Sequence, residues 1–207
     1  MGLAGCAGSR MVPDWQINAH GALKSSITAY LVGNSKLATL EFSRARREIA
    51  STGRADLLAR AELMRCAAQV ASLELNNCDP FQVLLEDAAA EERVYADYLL
   101  GRWAGLNTEL LPAQHRAVLT ATGGALNAIE DPLSRLVAAG VLLRKGVLAP
   151  EDIAITVQTA SDQGWRRPLL AWLGVALRRA EQSNDKEDIL LIQRRINLIS
   201  NAGMVDR

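Results

Sequence analysis

The amino-acid sequence predicts an all-α fold, and three observations support that prediction. Alanine and leucine dominate the 207 residues while aromatic residues make up only 4%, a composition that favours helices over sheets. Apolar residues recur at helical intervals, and no stretch shows the strict alternation of a half-buried strand. Glycine, proline and asparagine stand where helices would begin and end. We expect nine or ten helices, arranged as antiparallel hairpins with short turns.

The chain divides into three parts of unequal size. Residues 1–17 are predicted to hold an N-terminal motif and a flexible tether, because Gly8 and Pro13 interrupt any helical period. Residues 18–200 are predicted to form the helical-hairpin domain, and residues 201–207 a C-terminal tail. At 49% apolar and 22% charged residues, the composition is that of an ordinary globular protein.

Turn residues bound the first three predicted helices. A helix over residues 18–31 should end at Gly33, which suits the left-handed conformation that follows many helices. Asn34 has a side chain that caps helix N-termini, and the helix after it should run to about residue 51. A third helix is predicted from residue 54 to about residue 75.

Proline marks most of the later helix starts. Asp79-Pro80 and Asp131-Pro132 each place a capping carboxylate before a proline at the first helical position. The helix that follows Pro132 should end at Gly146, after two basic residues that complement the helix dipole. Further starts are predicted at Pro112, Pro150, Pro168 and Asn184.

The sequence lacks the motifs of the common enzyme classes. It contains no dinucleotide-binding glycine motif, phosphate-binding loop, zinc-protease motif or serine-hydrolase motif. Its two histidines, His20 and His115, are expected to be surface or helix-capping residues. We therefore predict a protein that is not an enzyme, with no catalytic residue, no metal and no cofactor. An enzyme, or an enzyme regulator, that uses one of these histidines is the alternative.

Charge and aromatic residues bear on possible partners. Lysine plus arginine equals aspartate plus glutamate at 23 each, so the chain has no general attraction to nucleic acid. Arginine pairs recur in the last helices and could form a basic surface, although solvated side chains would look the same. Trp165 could be an exposed binding residue or a wedge between helices. The predicted partner-binding residues are Trp165, Arg166, Arg178 and Arg194.

Four residues near the start, Leu3-Ala4-Gly5-Cys6, suggest where in the cell the protein is located. They resemble the lipobox of bacterial lipoproteins, in which signal peptidase cuts before a cysteine that carries a lipid. The resemblance implies a lipid anchor on Cys6 and a place on the periplasmic face of the outer membrane. Only Met1-Gly2 precede the motif, so the export signal would lie upstream in a longer precursor. A cytoplasmic protein with unmodified Cys6 is the alternative.

One hairpin carries a second resemblance. Gly33, Ala38, Phe42 and Ala45 lie at intervals of five, four and three, and they resemble the second half of a tetratricopeptide repeat. Small residues there let two helices approach closely while Phe42 fills the gap. Ala50 replaces the closing proline of that repeat, and the match covers one repeat only. The resemblance implies a solenoid-like domain that binds a protein or peptide, and hence a scaffold or adaptor in the cell envelope. A cytoplasmic adaptor and a purely structural role are the alternatives.

The remaining cysteines, Cys66 and Cys78, are twelve residues apart, which is not a metal-binding spacing. A helix that ends near residue 74 rises about 12 Å past Cys66, and four extended residues can return about 13 Å. A disulfide therefore requires the chain to fold back sharply, and Asn76-Asn77 suit such a turn. We predict the disulfide for an oxidising compartment; two buried thiols are the alternative.

Overall fold

The computed structural model describes residues 12–120 and 125–202, which form ten α-helices, two short 3₁₀-helices and no strand. In chain order the α-helices are α1 (Asp14–Leu31), α2 (Ser35–Ala50), α3 (Ala55–Ala71), α4 (Asp79–Gln82), α5 (Ala90–Leu99), α6 (Ala113–Thr120), α7 (Pro132–Lys145), α8 (Asp152–Asp162), α9 (Arg166–Gln182) and α10 (Lys186–Ala202). The 3₁₀-helices span Thr108–Leu110 and Ala125–Ala128. The all-α prediction is confirmed. The predicted lipidation residue, Cys6, lies outside the described residues.

Helices that follow one another in sequence pack together, as the hairpin prediction requires. The sequence neighbours α1 and α2, α8 and α9, and α9 and α10 are in contact with each other. α7 packs against α3, which is distant from it in sequence. None of the described helices is both long enough and apolar enough to cross a membrane.

Three of the predicted helix boundaries depend on the residues expected there. The Asn34 Oδ1 accepts a hydrogen bond from the Leu37 backbone N–H at 3.0 Å, and the Asp131 Oδ2 accepts one from the Ser134 N–H at 2.6 Å. Gly146 ends α7 with a φ of 71°, where a residue with a Cβ would be strained. These boundaries are confirmed.

The ends of the first and third helices differ from the prediction. α1 begins at Asp14, four residues before the predicted start, because the extended backbone of Pro13 leads directly into a helix. The segment predicted as a tether, residues 1–17, therefore overlaps the first turn of α1. α3 ends at Ala71 because Leu73 adopts a left-handed φ of 60°.

Two predicted caps are also wrong. Asp79 is the first residue of the short α4, and the preceding Cys78 takes the cap position with a φ of 53°. Asn184 has a φ of 54° and belongs to the turn after α9, a conformation that asparagine tolerates better than most residues. Asp185 caps α10 in its place, because its Oδ1 accepts a hydrogen bond from the Asp188 N–H at 3.1 Å.

The predicted disulfide is confirmed. Cys66 and Cys78 are bonded, their Cα atoms are 5.5 Å apart, and both residues are buried. The chain folds back at Asn76, whose Oδ1 accepts a hydrogen bond from the Cys78 N–H at 2.9 Å. From α7, Arg144 Nη2 donates to the Asn76 carbonyl at 2.7 Å. The turn is therefore fixed on two sides.

The apolar core has two parts. A large cluster extends from α3 to α10 and contains bulky side chains such as Phe81, Tyr98 and Trp172. A smaller cluster joins α1, α2 and α3, and four of its seven buried members are alanines. Its members are Ala19, Ala22, Leu23, Phe42, Ala45, Ile49 and Ala61. The small cluster contains two of the four residues that resemble the tetratricopeptide pattern, Phe42 and Ala45.

Candidate functional site

Two apolar clefts lie end to end along α1 and form one concave surface, which we call the α1 groove. The first cleft, of about 570 Å³, lies between α1, α2 and α3. The second, of about 470 Å³, lies between α1, α3, α7 and the start of α9. His20, Leu23 and Met64 line both clefts, so the groove is continuous.

The wall on α1 is formed by residues three and four apart, which share one helix face. Ile17, Gly21 and Lys24 are among them. Ile17 is 58% exposed. No atom lies within 4 Å of the position that a Cβ on Gly21 would occupy. The missing side chain therefore leaves room in the first cleft.

The opposite wall is formed by α3. Leu57, Met64 and Ala67 supply its apolar surface, and Met64 has a flexible thioether side chain that adapts to different neighbours. Arg60 borders the first cleft, and its Nε donates to the Glu92 Oε1 at 2.9 Å. This ion pair leaves the wall largely apolar in character.

Of the four predicted partner-binding residues, only Trp165 lines the groove. Its indole is half-buried and packs against the large core cluster, so it is both a wedge between helices and part of the groove surface. The Arg166 Nη2 lies 2.9 Å from the position of a Cβ on Gly33, against the turn between α1 and α2. Arg178 and Arg194 are exposed on α9 and α10 and line neither cleft.

Arg167, which belongs to one of the arginine pairs but not to the predicted partner-binding residues, connects the two parts of the core. Its Nε donates to the Tyr30 carbonyl at 2.8 Å and its Nη2 to the Ser35 Oγ at 2.6 Å. The guanidinium also lies 4.3 Å from the centre of the Tyr30 ring, and Glu74 pairs with it at 3.3 Å. Arg167 thereby fixes the α1–α2 turn against α9, and no local pattern links residues so far apart in sequence.

The prediction that His115 is a surface or capping residue is wrong. It is only 1% exposed, because α6 turns it toward Tyr95 and Tyr98, and the Tyr98 hydroxyl lies within hydrogen-bond distance of Nδ1 at 3.2 Å. Burial lowers the pKa of His115 to about 4, against the opposing effect of the Asp131 charge. His115 is therefore neutral at pH 7 and lines neither cleft.

His20 is exposed, as predicted, and lies where the two clefts meet. Within residues 12–120 and 125–202, no group of three or more His, Cys, Asp or Glu side chains could hold a metal ion. Besides apolar area, the groove presents the ammonium of Lys24, the imidazole of His20, the carboxylate of Asp131 and the Glu92-paired guanidinium of Arg60. Such a surface is suited to the binding of apolar side chains.

Comparison with known proteins provides no further identification: no protein-family model, no curated protein and no solved structure matches this chain.

Proposed function

We propose that the protein is a non-enzymatic, lipid-anchored scaffold of the bacterial cell envelope that holds one amphipathic helix of a protein partner in the α1 groove. The continuous apolar groove is the observation that carries this proposal. Ile17 and Met64 are exposed in it, and a large exposed apolar surface commonly marks an interaction site. Docking of an apolar helix face into a groove is a recurrent mode of recognition.

The walls of the groove define the chemistry of the partner helix. α1 has 18 residues and is therefore about 27 Å long, which matches a partner helix of several turns. Apolar side chains three and four residues apart on that helix would fill both clefts. Lys24 is exposed and forms no ion pair within the described part of the chain. An acidic residue at the middle of the partner helix would complement it.

Two features support a location in the cell envelope. The disulfide between Cys66 and Cys78 is of a kind that persists in oxidising compartments and is rare in the cytosol. The resemblance of Leu3–Cys6 to a lipobox supports the anchor. Mass spectrometry of the native protein tests this address. We expect an acylated Cys6 as the mature N-terminus, whereas an intact Met1 would favour the cytoplasmic adaptor.

Photo-crosslinking in cells tests the groove. A photoreactive amino acid replaces Ile17 in the groove or, as a matched control, Leu40 on α2, which is 60% exposed and lines neither cleft. We expect one protein adduct from position 17 that position 40 does not give. The additional substitution Gly21→Leu should abolish this adduct, because its side chain enters the empty part of the cleft. Equal adducts from both positions, or an adduct that Gly21→Leu leaves unchanged, would contradict the proposal.

A further inference from the structure

A second apolar surface lies on α10, separate from the α1 groove. One side of this helix packs against α9, with Ile192 buried between them. The other side leaves three leucines in contact with solvent: Leu190 is 59% exposed, Leu191 47% and Leu198 73%. A solvent-facing side of a helix normally carries polar and charged residues. The outer face of α10 departs from that pattern.

Charged residues flank the leucines on this face. Glu187, Leu190, Leu191, Arg194 and Leu198 are separated by three, one, three and four residues, so they share one side of the helix. Neither Glu187 nor Arg194 forms an ion pair within the described residues, and both are exposed. Along the helix the face therefore presents an acid, a pair of leucines and a base, with Leu198 one turn beyond the base.

We propose that this face binds the same face of a second copy of the chain, with the two α10 helices antiparallel. When two copies of a helix pack antiparallel, the residue numbers of every two opposing residues add up to the same value. For Glu187 opposite Arg194 and for Leu190 opposite Leu191 this sum is 381, so both pairings occur in one register. This register places one Glu187–Arg194 contact on each side of the Leu190–Leu191 pairs. The same residues face each other on both copies, as a two-fold interface requires.

The charge order is the reason for choosing a second copy in this orientation. A parallel pair would set Glu187 beside Glu187 and Arg194 beside Arg194, and like charges across an interface oppose association. The contact involves one face of one helix, so it belongs to the small and transient class of interfaces. We expect association at micromolar or higher concentrations.

Two charge-reversal variants, Glu187→Arg and Arg194→Glu, test the proposal by sedimentation velocity on the whole chain. Each variant alone sets like charges against each other at both contacts, and we expect its self-association to weaken by about tenfold or more. An equal mixture of the two variants restores both opposite-charge contacts, so dimers should return. Glu91→Arg, at an exposed position on α5, is the matched control and should associate like the unaltered chain.

Three results would overturn the proposal. The unaltered chain could remain monomeric up to about 1 mM, where an association free energy of about −4 kcal/mol would already give dimers. Either reversal variant could associate as strongly as the unaltered chain, which would place the contact elsewhere. The mixture could associate no better than its components, which would exclude the antiparallel register. Circular dichroism of each variant checks folding, which exposed substitutions rarely disturb.

Discussion

α7 and α1 both pack against α3, but they do so in opposite ways. Gly140 on α7 lies so close to α3 that a Cβ there would collide with the Val70 carbonyl oxygen. Gly21 on α1 lies opposite empty space. Glycine in one contact allows two backbones to touch, and in the other it leaves room beside the helix.

The difference separates the stable part of the molecule from the part available for binding. The α7 contact belongs to the large core cluster, which contains bulky side chains, whereas α1 rests on a small cluster rich in alanine. A close-packed contact has no room for a partner. The wider contact of α1 has room, and both clefts of the groove lie there.

Acidification should lower the free energy of unfolding through His115, which packs against Tyr98 in the large core cluster. The pKa of buried His115 is about 4 in the folded protein and about 6.5 in an unfolded chain. Between these values the unfolded state binds the proton and the folded state does not. Stability is therefore complete above pH 6.5 and falls by about 3 kcal/mol as the pH decreases to 4.

Urea unfolding of the unaltered chain, His115→Gln and His20→Gln at several pH values measures this effect. His115→Gln should lose this part of the pH dependence, whereas substitution of the exposed His20 should retain it. An identical pH dependence in all three proteins would show that His115 does not distinguish the folded from the unfolded state.

Gly140→Ala should destabilise the protein by about 2 kcal/mol, because the new methyl group would force α7 away from the backbone of α3. Chemical denaturation gives the free energy of unfolding directly. Gly174→Ala is a suitable control, since a Cβ at that position would meet only the end of the Arg178 side chain at 3.9 Å. A Gly140→Ala variant as stable as the Gly174→Ala control would contradict the close contact between α3 and α7.

Arg167→Lys should loosen the α1–α2 hairpin by about 1 kcal/mol. A lysine has one nitrogen where the guanidinium uses two, Nε for the Tyr30 carbonyl and Nη2 for the Ser35 Oγ, so it cannot reproduce this forked contact. Hydrogen exchange should become faster in α1 and α2 and stay unchanged in α7. Arg178→Lys, which alters an exposed arginine, should change neither. Uniformly faster exchange throughout the molecule would show that Arg167 supports the whole fold instead.

Gly21→Ala should have the smallest effect and the opposite sign. Alanine favours a helix interior by about 0.8 kcal/mol relative to glycine, and nothing stands in the way of the methyl group. The denaturation midpoint should therefore rise, whereas Gly140→Ala lowers it. Destabilisation by Gly21→Ala would mean that α1 packs more closely than the structure has it.

Local signals account for the part of the fold that the sequence predicts. Asn34, Asp131 and Gly146 each act on their own helix end, within four residues in the chain, and the structure has them as predicted. Cys78 also took its expected partner, because the turn at Asn76 is local.

The groove and its supports depend on contacts that local patterns do not contain. His115 was misassigned because the tyrosines that surround it belong to another helix. Arg167 contacts a residue 137 positions away. The role of Gly21 depends on the absence of a neighbour, which no sequence motif can indicate.

The Cys66–Cys78 link also has a consequence for the order of assembly. Both cysteines and the Asn76 turn lie within residues 66–78, so the bond can form before α7 has packed against the turn. Arg144, which later binds the Asn76 carbonyl, then meets a turn that is already shaped. α7 would then pack against a loop that is already closed by a covalent bond. Oxidation would come early in folding rather than as its last step.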